Sequence, residues 1–438
     1  MDISLIFPRI EHGVTTRSDR GSWGSIIFGY PQITLPHLAG MTPREHSVEL
    51  INENYENIDF DKPVDLVGIT SYTMTAPRVY AIADRFREKG VKVVLGGYHP
   101  SALPQEAIQH ADSIVIGEAE LSWPQLLMDY KKGKLKKFYK ADALIEAEKI
   151  RPLRRDLIKH MPILGGIQST RGCPHGCEFC AITNFFGGRT VRYRPVENVI
   201  EEIKAMPNKV FLFHDPSLTI NPTYTKSLLK QMKKLHKGWV ANANANILAK
   251  DEELLKLAVD AGCIAWFVGF ESVSQKSLKD VAKNCNKVEE FKNTVQKVQK
   301  YGMGVQGGII FGLDHDGPDI FDSTLQALQD WGIDAAEINI LTPYPGTPIY
   351  EQFVQHDRLL NKDWSRYNQV DVVFKPKNMT EKELYEGARH VAKNFYSPLK
   401  LIKRIWGNIT MATSLPSLFV LPGINLSYQR YYKRDYAF

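Results

Sequence analysis

Cysteine is scarce in this chain, with five among 438 residues, and no apolar run is long enough to span a bilayer. So few cysteines do not make a disulfide framework, which excludes the small, cross-linked secreted class. The most apolar stretch of the tail, Leu415–Leu421, is short and carries a proline. At most a peripheral membrane contact is expected from it. The opening residues, MDISLIFPRIEHG, lack a basic segment running into a long apolar one, so no signal peptide is expected and the chain is placed in the cytoplasm. No internal repeat is evident, and no added nucleic-acid module is visible. Excess charge is small as well, at +6. That balance suits an anionic ligand, a nucleic acid or an acidic membrane and selects none of them. The lysine run Lys131–Lys137 reads as solvated surface.

What is present is ordinary for a folded protein: 43% hydrophobic and 24% charged residues, over a length that supports two or three domains. Short apolar runs at Ile3–Phe7, Val64–Thr70, Val91–Leu95 and Ser113–Ile116 read as strands, and Pro77–Lys89 has helical periodicity. This alternation over residues 1–140 predicts a Rossmann-like parallel sheet with ligands at its strand ends. A polar, proline-bearing linker follows at 141–165. From 166 to 352 six further strands alternate with helices, predicting a partial or full β/α barrel of the TIM type. Residues 353–438 read as a short helical extension ending in an aromatic, basic tail. The fold class is therefore α/β.

Three of the five cysteines fall within eight residues, in STRGCPHGCEFCA at 169–181. Cys173, Cys177 and Cys180 have the spacing Cys-x₃-Cys-x₂-Cys. Three thiolates can hold three irons of a 4Fe–4S cluster and leave the fourth iron open. The competing reading is structural zinc with His175 as the fourth ligand, but zinc loops usually draw on a second ligand pair and none is evident. Cys263 and Cys285 read as a buried apolar residue and an inert helix-end residue. His12, His37 and His99 read as structural or surface groups.

The loop resembles the signature of radical S-adenosylmethionine enzymes, with Phe179 in the aromatic position before the last cysteine. The resemblance implies that the open iron binds S-adenosylmethionine, and that one-electron cleavage yields a 5′-deoxyadenosyl radical able to abstract hydrogen from an unactivated carbon. Val268–Ser272 resembles the family's Gly-x-Glu-Ser strand end, so Glu271 is implied to contact the ribose or amino group. Asp215, in Phe213–Ser217, is implied to face the barrel mouth. Gly308–Gly312 resembles the strand that contacts adenosine, and Leu341–Tyr350 a segment of the cobalamin-associated subgroup.

The first 140 residues resemble the cobalamin-binding domain that precedes this barrel, through ITSYTMT at 69–75, VVLGGYHPSALPQEA at 93–107 and IVIGEAE at 114–120. Cobalamin would sit against Ser71, Gly96, Gly97, Gly117 and Glu118. The Asp-x-His-x-x-Gly signature of a lower axial histidine is missing, and Glu11-His12-Gly13 is only a fragment of it. Subgroup members with this departure include both cobalamin binders and proteins that have lost the cofactor.

The resemblance implies hydrogen abstraction from an apolar ring-type substrate, a tetrapyrrole or polycyclic lipid, and cobalamin-dependent C-methylation of it. It also implies an electron donor such as flavodoxin or ferredoxin. Cobalamin-independent hydroxylation, cyclisation or coupling, an RNA-modifying enzyme, and a non-enzymatic metal-binding protein are the alternatives.

Overall fold

The computed structural model describes residues 1–11, 31–160, 162–412 and 414–436. His12 and Phe438 lie outside the described residues, so the Glu11-His12-Gly13 fragment is not placed.

The first unit is a parallel sheet in the order β2-β1-β3-β4-β5-β6. Its strands are β1 (Asp2–Phe7), β2 (Ser47–Asn52), β3 (Leu66–Thr70), β4 (Lys92–Gly96), β5 (Ser113–Ile116) and β6 (Phe138–Lys140). Helices α1 (Thr34–Met41), α2 (Ala76–Glu88) and α3 (Ala119–Lys131) cover its faces. β1, β3 and β4 are nearly all buried, as expected of central strands covered on both sides. Separate apolar clusters fill the two faces. Val79, Ile82 and Phe86 lie on one, and Leu35, Trp123 and Leu126 on the other.

A two-stranded ribbon, β8 (Thr170–Arg171) against β9 (Arg192–Tyr193), brackets the cysteine loop. The second parallel sheet runs β14-β13-β12-β11-β10-β7. Its strands are β7 (Leu164–Ile167), β10 (Val210–Phe213), β11 (Gly238–Ala243), β12 (Cys263–Glu271), β13 (Gly304–Phe311) and β14 (Ala335–Ile340). The sheet curves without closing, so the barrel is partial. Its outer layer includes α5 (Val196–Ala205), α6 (Pro222–Met232), α7 (Glu252–Asp260), α8 (Phe291–Lys300) and α9 (Ile320–Trp331), after the short α4 (Ala181–Asn184). Each outer helix buries one apolar face against the sheet, as Leu228, Leu229 and Met232 do in α6.

The C-terminal helices α10 (Glu381–Phe395), α11 (Pro398–Met411) and α12 (Ser417–Asp435) share the barrel core. Tyr432 and Tyr436 are buried in it. Two tyrosine hydroxyls also take the place of a neighbouring strand at the open edge. Tyr396 Oη accepts from the Ala336 N–H at 3.0 Å and donates to its carbonyl at 2.7 Å. Tyr432 Oη accepts from the Ile338 N–H at 2.5 Å. An unpaired edge strand carries a row of unmet donors and acceptors, and these hydroxyls satisfy part of that row.

Candidate active site

The cysteine loop is held from its own backbone outward. Gly172 has φ +84°, and a Cβ there would collide with the Thr190 carbonyl, so the turn into the loop requires glycine. The Cys173 N–H donates to the Gly188 carbonyl at 2.7 Å. Thr183 Oγ1 donates to the carbonyls of Cys173 at 3.0 Å and His175 at 2.6 Å. Asn184 Nδ2 donates to those of Cys177 at 3.0 Å and Cys180 at 2.9 Å. The side chains of α4 thus fix the loop's carbonyls. Phe179 is partly buried against the barrel core.

Cys177 is buried, and Cys173 and Cys180 are half-buried. Burial pushes the Cys177 thiol up to about 12, with the Lys283 charge opposing, and raises Cys173 as well. Iron binding therefore has to release protons here. Among the described residues, no group of three His, Cys, Asp or Glu side chains converges closely enough for a single ion. Three thiols on one loop held by its own backbone bonds are a donor set that fits a 4Fe–4S cluster. His175, the ligand zinc would have needed, instead pairs its Nε2 with Asn244 Nδ2 at 3.0 Å.

Glu271 ends β12 with φ +67° and is buried. Its Oε1 accepts from Lys283 Nζ at 2.9 Å. Burial works against the Lys283 ammonium, but Glu271 and the thiols of Cys177 and Cys285 outweigh it and raise its pKa. Glu271 therefore sits at the same barrel end as the cysteine loop. A backbone bond from Glu178 N–H to the Val281 carbonyl, 3.1 Å, ties the two loops together. Cys285 also belongs to this neighbourhood, which its isolated position in the sequence did not suggest.

Other expected residues stand differently. Asp215 does not face the mouth: it is fully buried, and its carboxylate accepts from Ser169 N–H at 2.7 Å and from Ser169 Oγ. Burial pushes it up to about 6 against those bonds. It tethers the strand exit leading into the cysteine loop and is not available to a ligand. Gly308 lies under the Phe267 ring, with a notional Cβ 2.8 Å from it. Gly312 (φ +92°) is packed under Leu384 and Phe374 and opens a turn held by Asp316. Neither glycine lines the cavity described next.

That cavity, about 1580 Å³, runs from the strand ends of the first sheet to the barrel interior. Gly96, Gly97, Gly117 and Glu118 line it, as do Gly172, Ala181 and Phe185 beside the cysteines, and Asn242, Phe267 and Glu337 inside the barrel. Gly97 (φ +94°) and Gly117 (φ +82°) adopt backbone that a side chain would strain, which leaves the strand ends bare. Such a bare, apolar edge fits a flat macrocycle. Ser71 is not part of it: it is buried, and its Oγ donates to the Tyr72 carbonyl at 3.0 Å. Thr70 and Tyr72 line the wall in its place. His99 turns inward, its Nε2 3.1 Å from Tyr80 Oη and 3.2 Å from Glu106 Oε1. His214, kept neutral by burial and by Arg155 with a pKa of about 4, lines the barrel side and carried no signal in the sequence.

Glu118 is already engaged. Arg192 Nη1 donates to its Oε2 at 2.9 Å, and Arg171 Nη1 lies 3.6 Å from its Oε1. Arg171 also pairs with Glu120, whose Oε1 is 2.8 Å from His37 Nε2. The ribbon thus clamps the barrel to the first unit. Tyr98 adds a bond to the Pro345 carbonyl at 2.8 Å. Burial alone would raise Glu120, but the His37 bond and the Arg171 charge hold it at about 2, against an ordinary 4.5. A lowered carboxylate gives stability that is present above pH 4.5 and lost as pH falls toward 2, here about 3 kcal/mol. Glu120→Gln is expected to lower stability by that amount at pH 7. In denaturant titrations the gap between parent and variant should close as pH falls through this window. An equal gap at pH 7 and pH 3 would refute the assignment.

The radical SAM superfamily model matches residues 167–328, and the B12 binding domain model matches residues 30–127. The chain is similar to bacteriochlorophyllide d C-12(1)-methyltransferase of Chlorobaculum tepidum, 33% identical over 355 residues that cover 78% of this chain and 77% of that protein. It is 32% identical over 403 residues to the bacteriochlorophyllide d C-8(2)-methyltransferase of the same organism, covering 84% and 88%. Among solved structures, the radical S-adenosylmethionine methyltransferase TsrM from Kitasatospora setae, with cobalamin and a 4Fe–4S cluster bound, superposes with TM-score 0.71 at 14% identity, covering 100% of both chains. The sequence relatives establish the family and the TsrM likeness the fold. This enzyme belongs to the radical S-adenosylmethionine enzymes that carry an amino-terminal B12-binding domain, a family whose cofactors are a 4Fe–4S cluster, S-adenosylmethionine and cobalamin.

Proposed function

We propose that this enzyme methylates an unactivated carbon of an apolar ring-type substrate of the tetrapyrrole class. The observation that carries this reading is the single cavity joining the bare strand ends of the first sheet to the barrel interior beside the cysteine loop. Its volume exceeds that of a usual small-ligand pocket, roughly 300–1,000 Å³, and leaves room for a substrate beside a cofactor. When bound, the cluster with S-adenosylmethionine supplies a radical for hydrogen abstraction, and cobalamin supplies the methyl group.

The chain's own residues bind and orient. Cys173, Cys177 and Cys180 hold the irons, with Phe179 packed behind them. Glu271, fixed by Lys283, is positioned for the polar groups of S-adenosylmethionine. Gly96, Gly97 and Gly117 leave space for the corrin ring. Deeper in the barrel, Gln306 Nε2 donates to Tyr428 Oη at 2.6 Å, and Tyr428 donates to Glu337 Oε2 at 3.0 Å. Gln306, Tyr428 and Glu337 all line the cavity, so this cluster can accept a hydrogen bond from a polar substituent of an otherwise apolar substrate. The working units are 1–140, 141–165, 166–352 and 353–438. The electron comes from a flavodoxin or ferredoxin, in the reducing cytoplasm.

Anaerobically reconstituted holoenzyme is expected to form 5′-deoxyadenosine together with a product carrying one added methyl group when supplied with a chlorophyllide-type acceptor and methyl-labelled S-adenosylmethionine. Substrate-dependent 5′-deoxyadenosine with no label transferred, in cobalamin-loaded protein, would replace methylation by another radical outcome.

A further inference from the structure

We propose that the outer face of α11, continued by the start of α12, docks on an anionic membrane surface and sets the cavity mouth against the bilayer. α11 is apolar on two sides. One side, with Leu401 and Asn408 buried, holds it to the protein. There Asn408 Nδ2 donates to Asp334 Oδ1 at 2.6 Å, and the Arg404 guanidinium lies 3.9 Å from the Phe395 ring. The other side presents Leu399, Ile402, Trp406 and Ile409, at helical spacings of three and four. Leu399 is 83% exposed and Trp406 69%. A surface helix normally turns charged residues outward, so an outward apolar stripe that includes a tryptophan is the pattern of an interfacial helix.

Charge points to the occupant. Residues 397–434 contain six Lys or Arg and no Asp or Glu, so the chain's entire excess of +6 lies in this segment. Lys400 and Lys403 flank the apolar stripe on α11 itself. A second copy of the chain meeting this face would bring like charges together, whereas anionic headgroups pair with them. No helix among the described residues is long and apolar enough to cross a membrane, so the contact is with the surface.

The face is continuous with the cavity. Leu415 and Phe419, 70% and 64% exposed, follow α11 in the chain and also line the cavity wall. An apolar substrate dissolved in the bilayer would therefore enter without crossing bulk water. The docking stands on the surface alone, and only this passage rests on the proposed function.

The test is flotation of the intact holoenzyme with vesicles of phosphatidylcholine alone and of phosphatidylcholine with phosphatidylglycerol. Binding is expected to the anionic vesicles, with a blue-shifted tryptophan emission, and to be roughly tenfold or more weaker on neutral vesicles or in high salt. Leu399→Ser with Trp406→Ser should cut anionic-vesicle binding by about tenfold or more while leaving cobalamin content and melting temperature unchanged. Lys400→Gln with Lys403→Gln should weaken it by a comparable factor. Holoenzyme that stays unbound to anionic vesicles, or variants that bind as the parent does, would overturn the proposal. A dimer dissociated by the Leu399→Ser/Trp406→Ser change would assign the face to self-association instead. Vesicle binding is independent of turnover, so a failed methylation assay leaves this result readable.

Discussion

Protein carrying Cys177→Ala is expected to hold almost no iron after anaerobic reconstitution and to form no 5′-deoxyadenosine above background. Cys177 is the most buried of the three loop thiols, in a loop whose carbonyls are fixed by Thr183 and Asn184. The fixed loop keeps Cys173 and Cys180 from shifting into its place. Losing a residue that only orients a metal ligand costs roughly 10–100-fold in affinity, and losing the ligand itself should cost well beyond that. Iron and sulfide analysis, with the visible absorbance of the reconstituted protein, checks it. A parent-like iron content in the variant would remove Cys177 from the ligand set. The effect should be chemical and not a collapse of the fold, because the loop lies at a strand end with both sheets intact behind it.

Lys283→Met is expected to lower stability by about 3–5 kcal/mol, because it leaves Glu271 as a buried carboxylate without its partner. For the barrel with its C-terminal helices that corresponds to a fall in melting temperature of roughly 5–10 °C. The double variant Lys283→Met/Glu271→Gln should recover most of the loss, since removing both charges removes the uncompensated one. Iron retention should behave differently. The Lys283 charge also favours the thiolate of Cys177, so both variants are expected to lose cluster faster than the parent in the presence of a chelator. A double variant as unstable as the single one would show that Lys283 acts by packing and not by charge.

The α/β alternation was legible because each core strand of both sheets carries its own apolar run between turn residues. Asp2–Phe7 and Ser113–Ile116 fall where the hydrophobic pattern puts them, to within a residue. β2 escaped notice because it is an edge strand whose first residues are only partly buried, so its apolar pattern is weak. α12 read as an aromatic tail because Pro422 lies inside the helix, and proline normally ends a helical pattern. The cysteine triad was legible because its chemistry is contained in eight consecutive residues. Lys283 was not, since it lies twelve residues beyond Glu271 in a loop without a signature and meets it only through the fold. Asp215 and Ser71 show the limit from the other side. A polar residue at a strand end can turn outward to a ligand or inward to the backbone, and that choice is made by neighbours such as Ser169 that periodicity does not reveal.

The tyrosine hydroxyls along β14 carry a consequence for the chain as it is made. A ribosome delivers β14 before α10 and α12, so the barrel edge exists for a time without Tyr396 and Tyr432 on it. At about 5–20 residues per second, the stretch from Ile340 to Tyr432 takes several seconds to synthesise. During that interval the nascent strand offers free backbone groups to any extended segment nearby, including the edge of another nascent copy. The penalty for losing these two hydroxyls should therefore appear in the yield of correctly folded protein at high expression rates, and much less in the stability of molecules that have already folded.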